Sequence, residues 1–267
     1  MIPTTAPTPA GLRWSLLEPG IAQLELSNPG RLHALNRDMW LQMAQIVPAL
    51  EARADLRCVV VTGADATAFA AGSDIREFET DRANAAQAQA YGEVVAAGLA
   101  ALEGCAVPLV AQIRGACVGG GLAVAALCDL RICGRSSRFG VPVSRLGLVM
   151  AHAEMRGLHR LAGAAVMREM LLEGRVFGAD EALGKGLVTR VVDDEAVPAE
   201  ALQAARRIAA GAPLVARWHK RFIRRLEDPT PLTPEEKGEA YACFDTRDYR
   251  IGLQAFLGGT PPVFTGS

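Results

Sequence analysis

Ile113-Arg114-Gly115-Ala116-Cys117-Val118-Gly119-Gly120-Gly121-Leu122-Ala123 is the stretch on which the reading of this chain turns. It continues Pro108-Leu109-Val110-Ala111-Gln112, a short apolar run of the kind that forms a buried strand, and leads into a helix predicted over 122–128. Three glycines at such a junction let a ligand approach the backbone closely. The start of the helix offers unpaired N–H groups and the positive end of the dipole, which suit an anion or a developing oxyanion. A tight, closely packed strand-to-helix turn would use the same glycines, so they do not choose between the two roles. A dinucleotide-binding turn fails, because Gly-x-Gly-x-x-Gly is not met and no acidic residue follows at the ribose-binding distance.

Outward from this stretch the same alternation repeats. Residues 12–26 alternate in polarity and turn at Glu18-Pro19-Gly20, which suits a β-hairpin. The β-branched run over 57–63 ends in glycine and reads as a buried strand, as does 130–133. Helical spacing marks 36–53, the alanine-rich 81–102, the segment from about Glu154, and the basic 200–226. Strand and helix in turn predict an α/β fold with crossover connections. The core is expected over 1–200. Residues 201–267, punctuated by Pro229, Pro231 and Pro234, are expected to form an appended helical region for oligomer contacts.

At 267 residues the chain has ample material for a core. Half of it is hydrophobic, yet no charge-free run reaches the roughly 18 residues of a membrane span. Met1-Ile2-Pro3-Thr4-Thr5-Ala6-Pro7-Thr8-Pro9 lacks the basic start and apolar stretch of a secretory signal and reads as a loose leader. A net charge of −1 argues against nucleic acid and anionic lipid as partners. None of the six cysteines forms a CxxC pair, and most sit among apolar residues, as reduced thiols of a cytoplasmic protein would. Four histidines without ligand spacing give no reason to expect a metal.

A second loop, Ala68-Phe69-Ala70-Ala71-Gly72-Ser73-Asp74-Ile75-Arg76-Glu77, joined to the glycine stretch, resembles the paired signature of the crotonase, or enoyl-CoA hydratase/isomerase, superfamily. Three more segments agree with it: Asn28-Pro29-Gly30-Arg31-Leu32-His33-Ala34-Leu35-Asn36, Phe139-Gly140-Val141-Pro142, and Gly174-Arg175-Val176-Phe177-Gly178-Ala179-Asp180-Glu181. The resemblance runs from about Trp14 to Phe264. It implies a spiral of ββα units with a helical C-terminal region, assembled as a homotrimer or a dimer of trimers. It also implies an acyl-CoA substrate and no cofactor beyond the coenzyme A that the substrate carries. Matched residue by residue, the backbone N–H groups of Ser73 and Gly120 become the oxyanion hole, where losing one donor costs ~3–4 kcal/mol in the transition state. Arg31, His33, Ala34, Ala71, Asp74, Ile75, Arg76, Gly119, Ala123, Pro142, Val143, Ala151 and Phe256 fall at positions expected to contact the substrate.

The chain also departs from the pattern that it resembles. Hydratases of the family carry glutamates at the positions of Ala123 and Val143, and neither alanine nor valine holds a water or carries a proton. Where some members place a catalytic aspartate, this chain has Ala151, with His152 next and Glu154 two beyond. His152 and Glu154 are therefore the candidate acid/base groups, with histidine slightly favoured, although Glu154 equally suits a helix start, where negative charge is welcome, and His152 a loop cap. Tyr91 and Glu93, in the stretch that resembles the roof of the acyl pocket, are secondary candidates. The basic residues expected after Phe256 are missing, which leaves Arg76 and Arg31 to meet the coenzyme A phosphates. The basic stretch Arg217 to Arg225 reads as a solvated helix face. Two functions follow: an acyl-CoA enzyme working through an enolate-type intermediate without ordinary hydration, or a catalytically silent acyl-CoA-binding protein.

Overall fold

The alternation over 12–26 resolves into β1 (Gly11–Glu18) and β2 (Ile21–Ser27), antiparallel across Pro19 and Gly20. Helix α1 (Arg37–Glu51) starts where the Asn36 side chain accepts the N–H of Met39 at 2.8 Å. Then come β3 (Cys58–Gly63), buried along its whole length, and β4 (Ala68–Ala70). A 3-10 turn, Ile75–Glu77, and the single-turn α2 (Phe78–Asp81) lead to α3 (Ala85–Gly104). This helix begins later than the 81 expected from composition, because Asn84 caps it by accepting the N–H of Gln87 at 3.0 Å. The computed structural model of the protein describes residues 10–267, and the leader expected over 1–9 lies outside them.

The glycine stretch contributes β5 (Leu109–Ile113), β6 (Ala116–Val118) and α4 (Gly120–Ala126). β7 (Leu130–Gly134), β8 (Arg138–Gly140), α5 (His152–Glu173), β9 (Val176–Gly178), α6 (Ala179–Gly184) and β10 (Arg190–Val192) follow. The strands form two sheets, ordered β1-β2-β3-β5-β7-β10 and β4-β6-β8-β9. Each pair β3/β4, β5/β6 and β7/β8 gives one strand to each sheet before a helix returns the chain, so the fold advances as a spiral of ββα units. Apart from β1 and β9 the neighbouring strands run parallel. The main core lies between the sheets and helices α1, α3, α4 and α5, with Trp40, Met43, Phe69, Leu99 and Leu122 fully or almost fully buried.

The far face of the larger sheet is covered by α7 (Val197–Ala209), whose Ala201, Ala204 and Ala205 lie against Ile21, Val60 and Val110. The expected division at residue 200 thus falls inside a helix that packs on the sheet. Nor is 200–226 one helix. Ala212, in extended conformation ahead of a proline, separates α7 from α8 (Pro213–Arg225). Four of the basic residues of α8 are engaged rather than free. Arg217 donates to the carbonyls of Glu51, Arg53 and Leu56, Lys220 pairs with Asp129 at 2.8 Å, and Arg221 and Arg225 pair with Glu239 and Glu236. Two further helices, α9 (Pro234–Glu239) and α10 (Arg247–Gly258), complete the C-terminal region. Among the described residues no helix is long and apolar enough to cross a membrane.

Candidate functional site

The ends of β4 and β6 carry the two loops into contact. The first is held by a bridge to Leu35: Ala71 N–H donates to Leu32, Leu35 N–H to Gly72 at 2.7 Å, and Asp74 N–H to Leu35 at 2.9 Å. In that parallel pairing the N–H of Ser73 is skipped, and no acceptor among the described residues takes it. In the second loop Gly119 has φ 51° and its N–H donates to Gly140 at 2.9 Å. A side chain at Gly119 would be strained by that φ, although a Cβ there would only touch the first loop, 3.6 Å from Gly72 Cα. Gly120 then opens α4, and its N–H, like the first donors of any helix, has no partner within it. Trp40 underlies this point, with Cζ2 3.3 Å from where a Gly120 Cβ would stand.

Ser73 and Gly120 line one cavity of about 120 Å³. Its apolar wall comes from Ile75, Phe78, Val143, Leu148 and Met150, and two charged side chains, Arg82 and Glu154, reach it. Glu154 sits in the first turn of α5, where its carboxylate accepts the N–H of Ala151 at 3.1 Å. Burial pushes its pKa up from the ordinary 4.5, while the Ala151 N–H and the charge of Arg82 pull in the other direction.

The remaining expected residues divide between the cavity and its supports. Ala71, Ile75, Gly119, Pro142 and Val143 line the cavity. Ala123 is buried inside α4 and does not reach it. His152 is exposed and outside the lining, as is Ala151, because the start of α5 turns Glu154 inward and its first residues toward solvent. Tyr91 is buried with its hydroxyl donating to Glu77 at 2.8 Å, which ties α3 to the 3-10 turn, and Glu93 faces solvent. His33 is only 2 % exposed: its Nδ1 accepts the N–H of Asn28 and its Nε2 lies 3.1 Å from Asp65. That ring braces its own segment, so any contact with substrate there falls to the backbone. Asn28 extends the brace, donating from Nδ2 to the Ala34 carbonyl at 2.7 Å and to Asp74 at 3.2 Å. Asp74 also caps the 3-10 turn through Arg76 N–H. Arg76 is exposed, Arg31 half-buried, and neither lines the cavity. Phe256, 85 % exposed on α10, is outside the lining as well.

Arg82 and Phe78 were not singled out in the sequence. Reading the helix from residue 81 absorbed Arg82 into a helical turn, whereas Asn84 marks the true start and leaves Arg82 in the link before it. Among the described residues no group of three or more His, Cys, Asp and Glu side chains stands ready to hold a metal ion.

Comparison with known proteins gives a consistent result. The family model described as enoyl-CoA hydratase/isomerase matches residues 17–267. The short-chain-enoyl-CoA hydratase of Clostridium acetobutylicum is 29 % identical over 242 residues, spanning 89 % of this chain and 91 % of that protein. The 1,2-epoxyphenylacetyl-CoA isomerase of Escherichia coli is 30 % identical over 259 residues, spanning 94 % and 97 %. Among solved structures, an enoyl-CoA hydratase/carnitine racemase from Magnetospirillum magneticum superposes with a TM-score of 0.92 at 48 % identity, covering 94 % of each chain.

Proposed function

The chain belongs to the enoyl-CoA hydratase/isomerase family of the crotonase superfamily, and from that premise we propose that it acts on an acyl-CoA thioester by moving a proton beside the carbonyl, through an enolate-type intermediate. One observation carries this reading: two backbone N–H groups without partners, those of Ser73 and Gly120, line the same small cavity as the half-buried carboxyl of Glu154.

The chemistry follows from that arrangement. A thioester oxygen placed between the two N–H groups accepts both, and the donors strengthen as negative charge builds on it. That lowers the cost of removing a proton from the adjacent carbon. The Glu154 carboxylate takes the proton, and burial suits it to give the proton back, because a raised pKa brings a carboxyl nearer to working pH. Return of the proton to another carbon of the acyl group completes an isomerisation. Ordinary hydration in the family uses a pair of glutamates to hold and activate water; this chain has Ala123 and Val143 at those positions, and Glu154 is the one carboxylate among the described residues lining the cavity. Glu154 therefore takes precedence over His152, which faces solvent.

The same reading includes a homotrimer or dimer of trimers, supported by Tyr241, Phe244, Leu253, Phe256 and Leu257, which the C-terminal region exposes. The buried thiols of Cys58, Cys105, Cys117, Cys128 and Cys133 fit a reducing, cytoplasmic setting. The test is a panel of acyl-CoA thioesters incubated with purified protein and followed by mass spectrometry. Turnover of one or more thioesters is expected. Retention of a thioester without turnover or α-proton exchange would make the protein a silent binder, and failure to convert or retain any thioester would overturn the reading.

A further inference from the structure

Arg82 is the cation of the cavity; its charge lowers the pKa of Glu154, but the proton transfer described above gives its guanidinium no group to bind. Its guanidinium lies 4.4 Å from the centre of the Phe78 ring and 4.9 Å from that of Tyr91. Tyr91 is itself fixed by its hydroxyl bond to Glu77, so the guanidinium rests on an anchored aromatic surface. Three carboxylates, Glu77, Glu79 and Asp81, precede it closely in the sequence. None of them, nor Glu154, forms an ion pair with Arg82, and among the described residues its side chain makes no hydrogen bond. A half-buried guanidinium with free donors, held by rings in a cavity whose other charged side chain, Glu154, forms no ion pair with it, is built to take an anion that arrives with the ligand.

We infer that Arg82 is a specificity-determining residue that binds a carboxylate at the far end of the acyl group, so that the preferred substrates are short acyl-CoA thioesters bearing a terminal carboxylate. This rests on the acyl-CoA reading of the cavity and deepens it. The thioester is fixed at Ser73 and Gly120, and Arg82 shares the same cavity of about 120 Å³, so a chain of a few carbons spans the available room. A coenzyme A phosphate is the other anion such a ligand carries. It is the weaker match, because Arg82 lies among the acyl-pocket residues Phe78, Val143 and Met150, whereas Arg76 and Arg31 stand outside the lining.

Calorimetric titration with butyryl-CoA, succinyl-CoA and free coenzyme A separates these cases. The wild-type protein should bind succinyl-CoA at least about tenfold more tightly than butyryl-CoA, the scale expected of a charge-assisted guanidinium–carboxylate pair. Arg82→Gln should bring the two thioesters close to parity, and Arg82→Lys should restore part of the preference. Circular dichroism of each variant checks that the fold is kept. The inference is overturned if the wild-type protein binds both thioesters equally, or if the preference survives in Arg82→Gln. It is overturned equally if Arg82→Gln weakens all three ligands by the same factor, which would assign the guanidinium to a phosphate. In each of those cases thioester binding itself still stands. If neither thioester binds the wild-type protein, the acyl-CoA reading falls and this inference with it.

Discussion

Replacing Glu154 with glutamine removes a proton carrier while leaving its surroundings almost intact. The amide oxygen of the substituted side chain can still accept the N–H of Ala151, so the start of α5 keeps its hydrogen bond. A positioned general base contributes roughly 10²–10⁴-fold in rate, or about 2.7–5.4 kcal/mol of barrier at ~1.36 kcal/mol per tenfold. Folding moves the other way. The folded pKa of Glu154 is raised, so its favourable contribution holds below the ordinary 4.5 and is lost as pH rises through the folded value. At neutral pH the wild-type carboxylate therefore carries a burial penalty that the neutral amide lacks, and Glu154→Gln should unfold at the same temperature as wild type or higher. Exchange of the α-hydrogens of butyryl-CoA in deuterated buffer, followed by mass spectrometry, reports proton removal without knowledge of the physiological product. The variant should lose exchange by the factor above at unchanged stability, and His152→Ala should exchange as wild type does. Full exchange by a stably folded Glu154→Gln protein would refute the assignment.

Crotonyl-CoA hydration should be absent or far below that of a hydratase, since Ala123 and Val143 hold no water; robust steady-state hydration surviving repurification contradicts this. The rate of α-hydrogen exchange should rise with pH as Glu154 loses its proton, at a pH above the ordinary 4.5. Because the charge of Arg82 lowers that pKa, Arg82→Gln should move the rise to higher pH, and a rise that stays in place would uncouple the two groups. Gly121→Ala should destabilise the fold by about 1–3 kcal/mol in urea titration, because its Cβ would press on the Ala70 carbonyl and lie 2.8 Å from Ala70 Cβ. Light scattering should show a trimer or hexamer, and a monomer at working concentration would count against the apolar C-terminal surface as an interface.

The fold was legible wherever short-range signals carried it. A β-branched run ending in glycine located β3, a short apolar run located β5, and the glycine stretch located the junction of β6 with α4. Helix boundaries were less legible, because they depend on single residues: Asn84 delays α3 and Pro213 opens a separate helix inside a continuous basic pattern. The site followed the same division. That Ser73 and Gly120 share a cavity could be expected from the loops that hold them, whereas the direction of a side chain depends on helix phase. Residues His152 and Glu154 are two apart at the start of α5, and only the phase of that first turn decides which faces the cavity. Arg82 escaped notice because its place at the cavity depends on Phe78 and Tyr91, rings from two different elements.

The unpaired N–H groups of Ser73 and Gly120 have a thermodynamic consequence for the empty protein. An amide that faces a cavity instead of a protein acceptor forgoes the about 0.5–1.5 kcal/mol that a hydrogen bond within the fold contributes, so a sequence selected for stability alone would give each one an acceptor. This fold instead fixes the loops with the neighbouring amides of Leu35, Asp74 and Gly119 and keeps these two in reserve. On the proposed reading a bound carbonyl would take up both amides and return that contribution. Ligand binding and melting temperature are thereby linked: any thioester that fits should raise the melting point in proportion to the logarithm of its concentration above Kd.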